Sequence, residues 1–298
     1  MKTISRKSAI QHLALGLFAF PHLCRNFGNS DNAKKFLKPY PSQTWKGNIH
    51  HSVCYWMYSD VPLEDFCNAL KKIGIHTVDL IGPNDWDTLK KLGMNCGIAN
   101  GAEISLNEGF NHVENHEKLI QKYTDIIPKL ASYGFDNLIC FSGQRKGISD
   151  AEGLENCAKG LKALMPIAEK YKVTLSMELL NSKVNHPDYQ CDHSAWGVEL
   201  CKKVGSPNFK LLYDIYHMQI MEGNIIDTIQ KNSAYFSHYH TAGVPGRHDI
   251  DDDQELNYPA IMEAIVKTGF KGSVAQEFNP KITYDMGSLV TAFKTCDV

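Results

Sequence analysis

From residue 49 onward, short apolar segments alternate with longer segments in which apolar positions recur every three or four residues. The short segments have the continuous apolar character of buried parallel strands, and the long segments have the period of amphipathic helices. The predicted strands are 49–58, 76–81, 94–99, 137–141, 173–180, 209–215, 234–241 and 272–278. The predicted helices are 62–72, 83–92, 114–133, 152–171, 193–204, 224–231, 258–268 and 286–294.

This alternation predicts eight strands that are each followed by a helix, which is the order of an α/β chain folded as a (β/α)8 TIM barrel. Gly93, Gly134 and Gly205 follow predicted helices at positions where a left-handed residue commonly ends a helix. An open doubly wound sheet is the alternative, but such a sheet usually carries a glycine-rich turn after its first strand. The segment from Tyr58 to Pro62 contains no glycine, so we expect the barrel.

The first 30 residues have the layout of an export signal, in which basic residues precede an apolar stretch over 9–20. That stretch is shorter than the roughly 20 residues that cross a bilayer, so we expect no membrane span. Arg6 and Lys7 resemble a weakened twin-arginine signal, which would place the protein in the periplasm. Without export the protein would be cytoplasmic.

Residues 31–48 are rich in Asn, Lys, Ser and Pro and predict a linker, which leaves 49–298 as one catalytic domain. Of the 298 residues, 43% are hydrophobic and 21% are charged, as in globular proteins. The formal net charge is −2 without a basic block, so nucleic acid is not an expected partner. The nine cysteines form no CxxC pair and predict reduced, structural thiols. We expect a small-molecule partner, and the sequence leaves the oligomeric state open, a homo-oligomer included.

Each of the last four predicted strands ends in a side chain that can bind a metal ion. Glu178, Asp214, His240 and Glu277 follow one another at intervals of about one βα unit. The C-terminal strand ends of a TIM barrel share one rim, so we expect these side chains to meet. Three buried carboxylates would repel one another, and a divalent cation removes that conflict. Three oxygen ligands and one nitrogen suit Mn²⁺ or Mg²⁺ best, with Co²⁺ and Zn²⁺ as alternatives.

Several motifs resemble those of the hydroxypyruvate isomerase family, which lies within the xylose isomerase-like TIM barrels beside the ketose 3-epimerases. The resemblance extends over residues 49–280 and is most specific around Asp214. The segments that carry it are Val204–Gly223, Phe141–Arg145, Val244–His248, Glu255–Pro259 and Glu277.

The resemblance implies a role for each matching position. Glu178 and Glu277 resemble the two glutamates that bind the metal and exchange the substrate proton. Asp214 resembles the aspartate ligand, His217 resembles the histidine near the substrate oxygens, and Arg247 resembles the arginine that holds an anionic or polyol end. The implied reaction isomerises a sugar or hydroxy-keto acid: a proton leaves the carbon next to a carbonyl, an enediolate forms, and a proton returns to the neighbouring carbon.

Two positions depart from the family pattern. His240 stands where hydroxypyruvate isomerases usually have Gln, and histidine at that position resembles the 3-epimerases. The segment 181–189 is also altered. Three other functions therefore stay open: a ketose 3-epimerase of the same fold, an apurinic-site endonuclease-like nuclease, and a non-catalytic sugar-binding protein. The nuclease would need more histidine ligands and a basic surface, and the binding protein would have no use for the paired glutamates.

Overall fold

The strands of the barrel are shorter than the hydrophobic pattern predicts, but all eight are present. A computed structural model describes residues 40–282 and 285–298. The strands are β1 His50–Val53, β2 Thr77–Val78, β3 Asn95–Cys96, β4 Asn137–Cys140, β5 Thr174–Glu178, β6 Phe209–Asp214, β7 Phe236–Thr241 and β8 Ser273–Gln276.

All strand pairs are parallel, and the strands close into a barrel. Six of them pair in the order β1-β8-β7-β6-β5-β4, and β2 pairs with β3. Single parallel bridges, Cys54 with Asp79 and Ala99 with Leu138, join the pair to both edges of the six-stranded sheet. The predicted TIM barrel is therefore confirmed.

Nine α-helices surround the strands in the part of the chain that the structure describes. They are α1 Leu63–Lys72, α2 Trp86–Leu92, α3 His116–Ser132, α4 Asp150–Tyr171, α5 Ser194–Val204, α6 Ile215–Met221, α7 Ile225–Asn232, α8 Tyr258–Lys267 and α9 Met286–Cys296. Helix α6 follows β6 without a loop, so the prediction that the strand extends to Ile215 was one residue too long. The Asp214 carboxylate ends the strand because it accepts a hydrogen bond from the backbone N–H of His217 and caps α6.

Three other predicted strands are much shorter in the structure. The predicted strand 49–58 ends at Val53, and Tyr55–Tyr58 forms a 3-10 helix instead. The predicted strands 76–81 and 94–99 are each reduced to two residues. The strand 76–81 is shortened because Leu80 adopts a left-handed conformation with φ of 59°, which an extended ladder cannot accommodate.

The alternation of side chains along each strand decides which residues enter the barrel. Leu211 packs in the large core beneath the helices, whereas Leu212 joins a separate small cluster with Ile98 and Ile139. Since successive side chains point to opposite faces, Leu212 and Asp214 face the lumen. The side chains of β5, β7 and β8 alternate in the same way. Polar side chains therefore point into the lumen above the small apolar cluster.

The segment 40–48 packs against the barrel. The Trp45 indole N–H donates a hydrogen bond to the Ile73 carbonyl at 2.8 Å, and the Asn48 side-chain amide donates to the Val298 carbonyl at 2.9 Å. The predicted linker thus contacts the domain in its last residues. The predicted export signal, 1–30, lies outside the described residues. Within the described ranges, no helix is both long and apolar enough to span a bilayer.

Gly109 is expected to tolerate no side chain. The loop that contains it lies against the end of β4, where the Phe110 N–H donates to the Phe141 carbonyl. A Cβ at residue 109 would overlap backbone atoms of Phe141, Ser142 and Gly143. Because backbone cannot move aside as a side-chain tip can, Gly109→Ala should lower the free energy of unfolding by about 3 kcal/mol.

Urea denaturation of the variant measures this loss. Gly82→Ala is the matched control, since its Cβ would meet only the flexible Asn100 side chain at 3.2 Å. Equal stability of the two variants would contradict the close approach at Gly109.

Candidate active site

The four predicted metal ligands meet at the C-terminal rim of the barrel. One donor atom from each of Glu178, Asp214, His240 and Glu277 lies within 4.8 Å of the others. All four side chains are buried, with relative exposures from 0% to 5%. The convergence follows from the fold, because adjacent parallel strands end at the same rim and the side-chain parity turns these residues inward.

The two ring nitrogens of His240 contact different side chains. Its Nδ1 lies 3.2 Å from Glu178 Oε1 and 2.8 Å from Glu277 Oε2. Its Nε2 lies on the opposite side, 3.6 Å from Asp79 Oδ2 and 3.7 Å from Cys54 Sγ. Burial opposes a charge on this ring, but the Cys54 and Glu277 side chains raise the pKa of His240 well above its ordinary value.

Arg247 supplies the positive charge at the rim. Its Nη2 lies 2.6 Å from Glu277 Oε2 and 3.8 Å from Asp214 Oδ2. The guanidinium also lies over the rings of Trp56 and Tyr216, at 5.5 and 5.6 Å from the ring centroids. The aromatic faces and the carboxylates together hold the guanidinium in place.

This environment separates the pKa values of the three carboxyl groups. Burial opposes ionisation of Glu277, but the Arg247 guanidinium and His240 outweigh it and lower the pKa of Glu277 well below its usual range. Burial raises the pKa of Asp214 to about 7 against the attraction of Arg247. Burial also raises the pKa of Glu178. Carboxyl groups with separated pKa values in one site are able to act as the acid and the base of a reaction.

His217 lies in the first turn of α6, beside Asp214. Its backbone N–H donates to Asp214 Oδ1 at 3.0 Å, and its ring Nε2 lies 3.6 Å from Asp214 Oδ2. The Tyr216 and His186 rings meet it edge-on at 5.1 and 5.2 Å. Burial, followed by the Arg247 charge, lowers the pKa of His217 well below its usual value.

A second layer of polar residues, which was not predicted from the sequence, lies below the four predicted ligands. The Asp79 carboxylate accepts hydrogen bonds from His238 Nε2, at 2.5 Å, and from the Ser52 hydroxyl. Burial opposes ionisation of Asp79, but His238 outweighs it and holds the pKa of that carboxyl below its usual range. The spacing of His238 and His240 on one strand face was a visible signal, whereas nothing in the sequence paired Asp79 with either ring.

The donor set fits a divalent cation. Three carboxylates and one imidazole nitrogen match the ligands of hard and intermediate divalent metals. Glu277 Oε2 is buried and lies within 2.6 Å of Arg247 Nη2 and 2.8 Å of His240 Nδ1. Asp79, His238 and His240 form a second group of potential ligands. Asp79 already forms a short hydrogen bond with His238, so the ion would be held by Glu178, Asp214, His240 and Glu277.

A family model described as xylose isomerase-like TIM barrel matches residues 54–287. The chain belongs to this family. A 2-oxo-tetronate isomerase of Pectobacterium atrosepticum is 30% identical over 238 residues, which cover 76% of this chain and 89% of the relative. A human protein provisionally named hydroxypyruvate isomerase is 28% identical over 227 residues, which cover 76% of this chain and 78% of the relative.

Solved structures of similar proteins have the same barrel. A structure described as AP endonuclease, family 2, from Brucella melitensis has a TM-score of 0.69 at 25% identity, covering 82% of this chain and 95% of that chain. D-psicose 3-epimerase from Clostridium cellulolyticum H10 has a TM-score of 0.67 at 19% identity, covering 82% of this chain and 89% of that chain. At that identity the epimerase likeness concerns the fold alone.

Membership of the xylose isomerase-like family confirms the resemblance stated from the motifs. The curated relatives are named as isomerases, which confirms the predicted enzyme class. The structure brings Glu178, Asp214, His240 and Glu277 together and places His217 and Arg247 beside them. The catalytic, ligand and substrate roles of these six residues stay predictions.

Proposed function

We propose that this protein is a metal-dependent isomerase of the hydroxypyruvate isomerase type that acts on a small hydroxy-keto acid or sugar. The observation that carries the proposal is the position of Glu178 and Glu277, which face His240 Nδ1 from two different strands at 3.2 and 2.8 Å. Two buried carboxyl groups with divergent pKa values thereby lie against the same imidazole nitrogen. That is the arrangement that a proton transfer between neighbouring carbon atoms requires.

In this mechanism one glutamate removes a proton from the carbon next to the substrate carbonyl, and the other glutamate returns a proton to the neighbouring carbon. The substrate hydroxyl proton passes to the former carbonyl oxygen, so the carbonyl group moves by one carbon. An enediolate of the substrate separates the two steps. A divalent ion held by Glu178, Asp214, His240 and Glu277, with Mn²⁺ or Mg²⁺ favoured, would stabilise the negative charge that develops on the substrate oxygens. Burial of all four side chains keeps bulk water away from these transfers.

Arg247 is the group that we assign to the far end of the substrate. It is a half-buried cation between the aromatic faces of Trp56 and Tyr216, and a planar guanidinium binds a carboxylate through two parallel hydrogen bonds. Two of the relatives are named as a hydroxypyruvate isomerase and a 2-oxo-tetronate isomerase, and the substrate in each name is a hydroxy-keto acid. An acidic substrate of three or four carbons is therefore our first choice.

A ketose 3-epimerase is the second candidate, and His240 is the observation that favours it. An epimerase would use the same two glutamates but return the proton to the same carbon from the opposite face. A nuclease is less well supported, because the formal net charge of −2 offers little attraction to a phosphate backbone.

The deciding experiment supplies hydroxypyruvate, 2-oxo-tetronate and D-fructose to the Mn²⁺-treated protein in deuterium oxide. We expect an isomeric product from one of the two acids, with solvent deuterium on the carbon that receives the proton. NMR spectroscopy of the product measures both. Deuterium at carbon 3 of the ketohexose, with both acids unchanged, would establish the epimerase instead. Absence of exchange into all three compounds would reject both candidates.

A further inference from the structure

The side chain of Asn181 has a fixed orientation. This residue lies three positions after Glu178, at the beginning of the segment 181–189. Its Oδ1 accepts hydrogen bonds from the backbone N–H groups of Val184, at 3.0 Å, and Asn185, at 2.8 Å. A reversed amide would present its NH₂ group to two donors, so the oxygen must face the backbone.

The amide nitrogen of Asn181 therefore faces the active site. Asn181 Nδ2 lies 2.6 Å from His217 Nδ1 and 2.7 Å from Asn185 Oδ1. An amide NH₂ group only donates, so the His217 Nδ1 must be the acceptor of this hydrogen bond. A neutral imidazole with an accepting Nδ1 carries its proton on Nε2.

The Nε2–H of His217 has no acceptor among the described residues. The ring is fully buried, and Nε2 makes no hydrogen bond. Asp214 Oδ2, at 3.6 Å, is too distant for one. A buried donor without an acceptor is destabilising, and its place beside the four converging ligands is where an oxygen of a bound molecule would satisfy it.

We propose that Asn181 is a positioning residue that holds His217 as the Nε2–H tautomer, so that this ring donates a hydrogen bond to an oxygen of the substrate. The inference deepens the proposed function and rests on it for its effect on turnover. In the isomerase reaction this oxygen becomes negatively charged as the enediolate forms. A preoriented donor stabilises that charge more than it stabilises the neutral substrate, so its contribution falls mainly on kcat.

A second role for Asn181 has to be separated from the first. Its Oδ1 also organises the backbone of the following loop through the two N–H groups, which is a structural function. Asn181→Asp separates the two roles, because a carboxylate keeps both acceptor positions but cannot donate to His217 Nδ1. In the variant, Nδ1 should instead carry a proton that it donates to the new carboxylate.

For Asn181→Asp we expect kcat to fall about 100-fold, with KM changed by less than about 3-fold, since a single preorganised donor contributes about 10²–10³ in kcat. Asn185→Asp is the matched control. It adds the same charge to the same loop, and its retained oxygen still accepts from Asn181 Nδ2 and from the Tyr216 hydroxyl at 3.0 Å. The control should retain kcat within about 3-fold.

The tautomer is measured directly by ¹⁵N NMR of histidine-labelled protein, with His217→Gln to assign the signals. We expect a protonated Nε2 and an unprotonated Nδ1 in the unaltered protein, and a protonated Nδ1 in Asn181→Asp. An Nδ1–H tautomer in the unaltered protein overturns the inference, and this result does not depend on whether any variant folds. A loss of kcat without a change of tautomer in Asn181→Asp, or an equal loss in Asn185→Asp, also overturns it. If the unaltered protein isomerises none of the substrates but shows the Nε2–H tautomer, the proposed function fails while the assigned tautomer stands.

Discussion

Glu178→Gln is expected to reduce kcat by about 10³-fold or more while the barrel stays folded. General acid–base groups contribute about 10²–10⁴ to rate, and glutamine has the shape of glutamate without its ability to take or return a proton. Glu178 is the better of the two glutamates for this test, because Glu277 also forms the closest ion pair of Arg247. Steady-state turnover, together with solvent deuterium incorporation into recovered substrate, measures the loss.

Asp192→Asn is the matched control for the removal of a buried carboxylate. Asp192 is 4% exposed, pairs with Arg145 at 3.0 Å and is not one of the four residues that converge at the rim. This variant should lose stability but keep kcat within a few-fold. Circular dichroism establishes whether Glu178→Gln is folded. Full turnover in folded Glu178→Gln would refute proton transfer by this residue.

Removal of divalent metal is expected to abolish turnover and to lower thermal stability. Without a divalent cation, the positive charges of Arg247 and His240 offset only part of the mutual repulsion of the three carboxylates at the rim. Saturation with Mn²⁺ at about 100 times its Kd should raise the free energy of unfolding by about 2.7 kcal/mol, because the ion binds the folded chain alone. Chelator treatment followed by calorimetry and activity assays, with and without added Mn²⁺, measures both effects.

Asp214→Asn serves as the control, since it weakens the cluster without touching either glutamate. Its melting temperature should respond little to Mn²⁺. Undiminished turnover in protein whose metal content has been shown to be negligible would contradict the proposed metal dependence. A rise in melting temperature of the same size in Asp214→Asn would place the ion elsewhere in the molecule.

The fold was largely predictable because hydrophobic periodicity is a local property. Continuous apolar strands and amphipathic helices recur along the chain, and eight such units leave few arrangements other than a barrel. The errors in strand length came from backbone conformations that the hydrophobic pattern does not reveal. Strand β2 has an apolar sequence on both sides of Asp79, but the left-handed Leu80 and a single bridge to β1 end its ladder.

The candidate site was predictable to the extent that topology alone forces residues together. Glu178, Asp214, His240 and Glu277 lie at or next to the ends of four successive strands, and the ends of parallel strands share a rim. Asp79 was not predictable in this way, because its partner His238 is 159 residues away across the lumen. The proposed role of Asn181 was not predictable for a related reason, because it depends on which atom of its side-chain amide faces the ring of His217.

By itself, the sequence determined the barrel and the four side chains that converge at its rim, because each follows from spacing along the chain. Only the tertiary structure decided the ion pairs of Arg247, the buried contact of Asp79 with His238 and the hydrogen bond from Asn181 to His217. These contacts depend on distances and atom orientations between residues on different elements, and side-chain type and spacing do not specify those quantities.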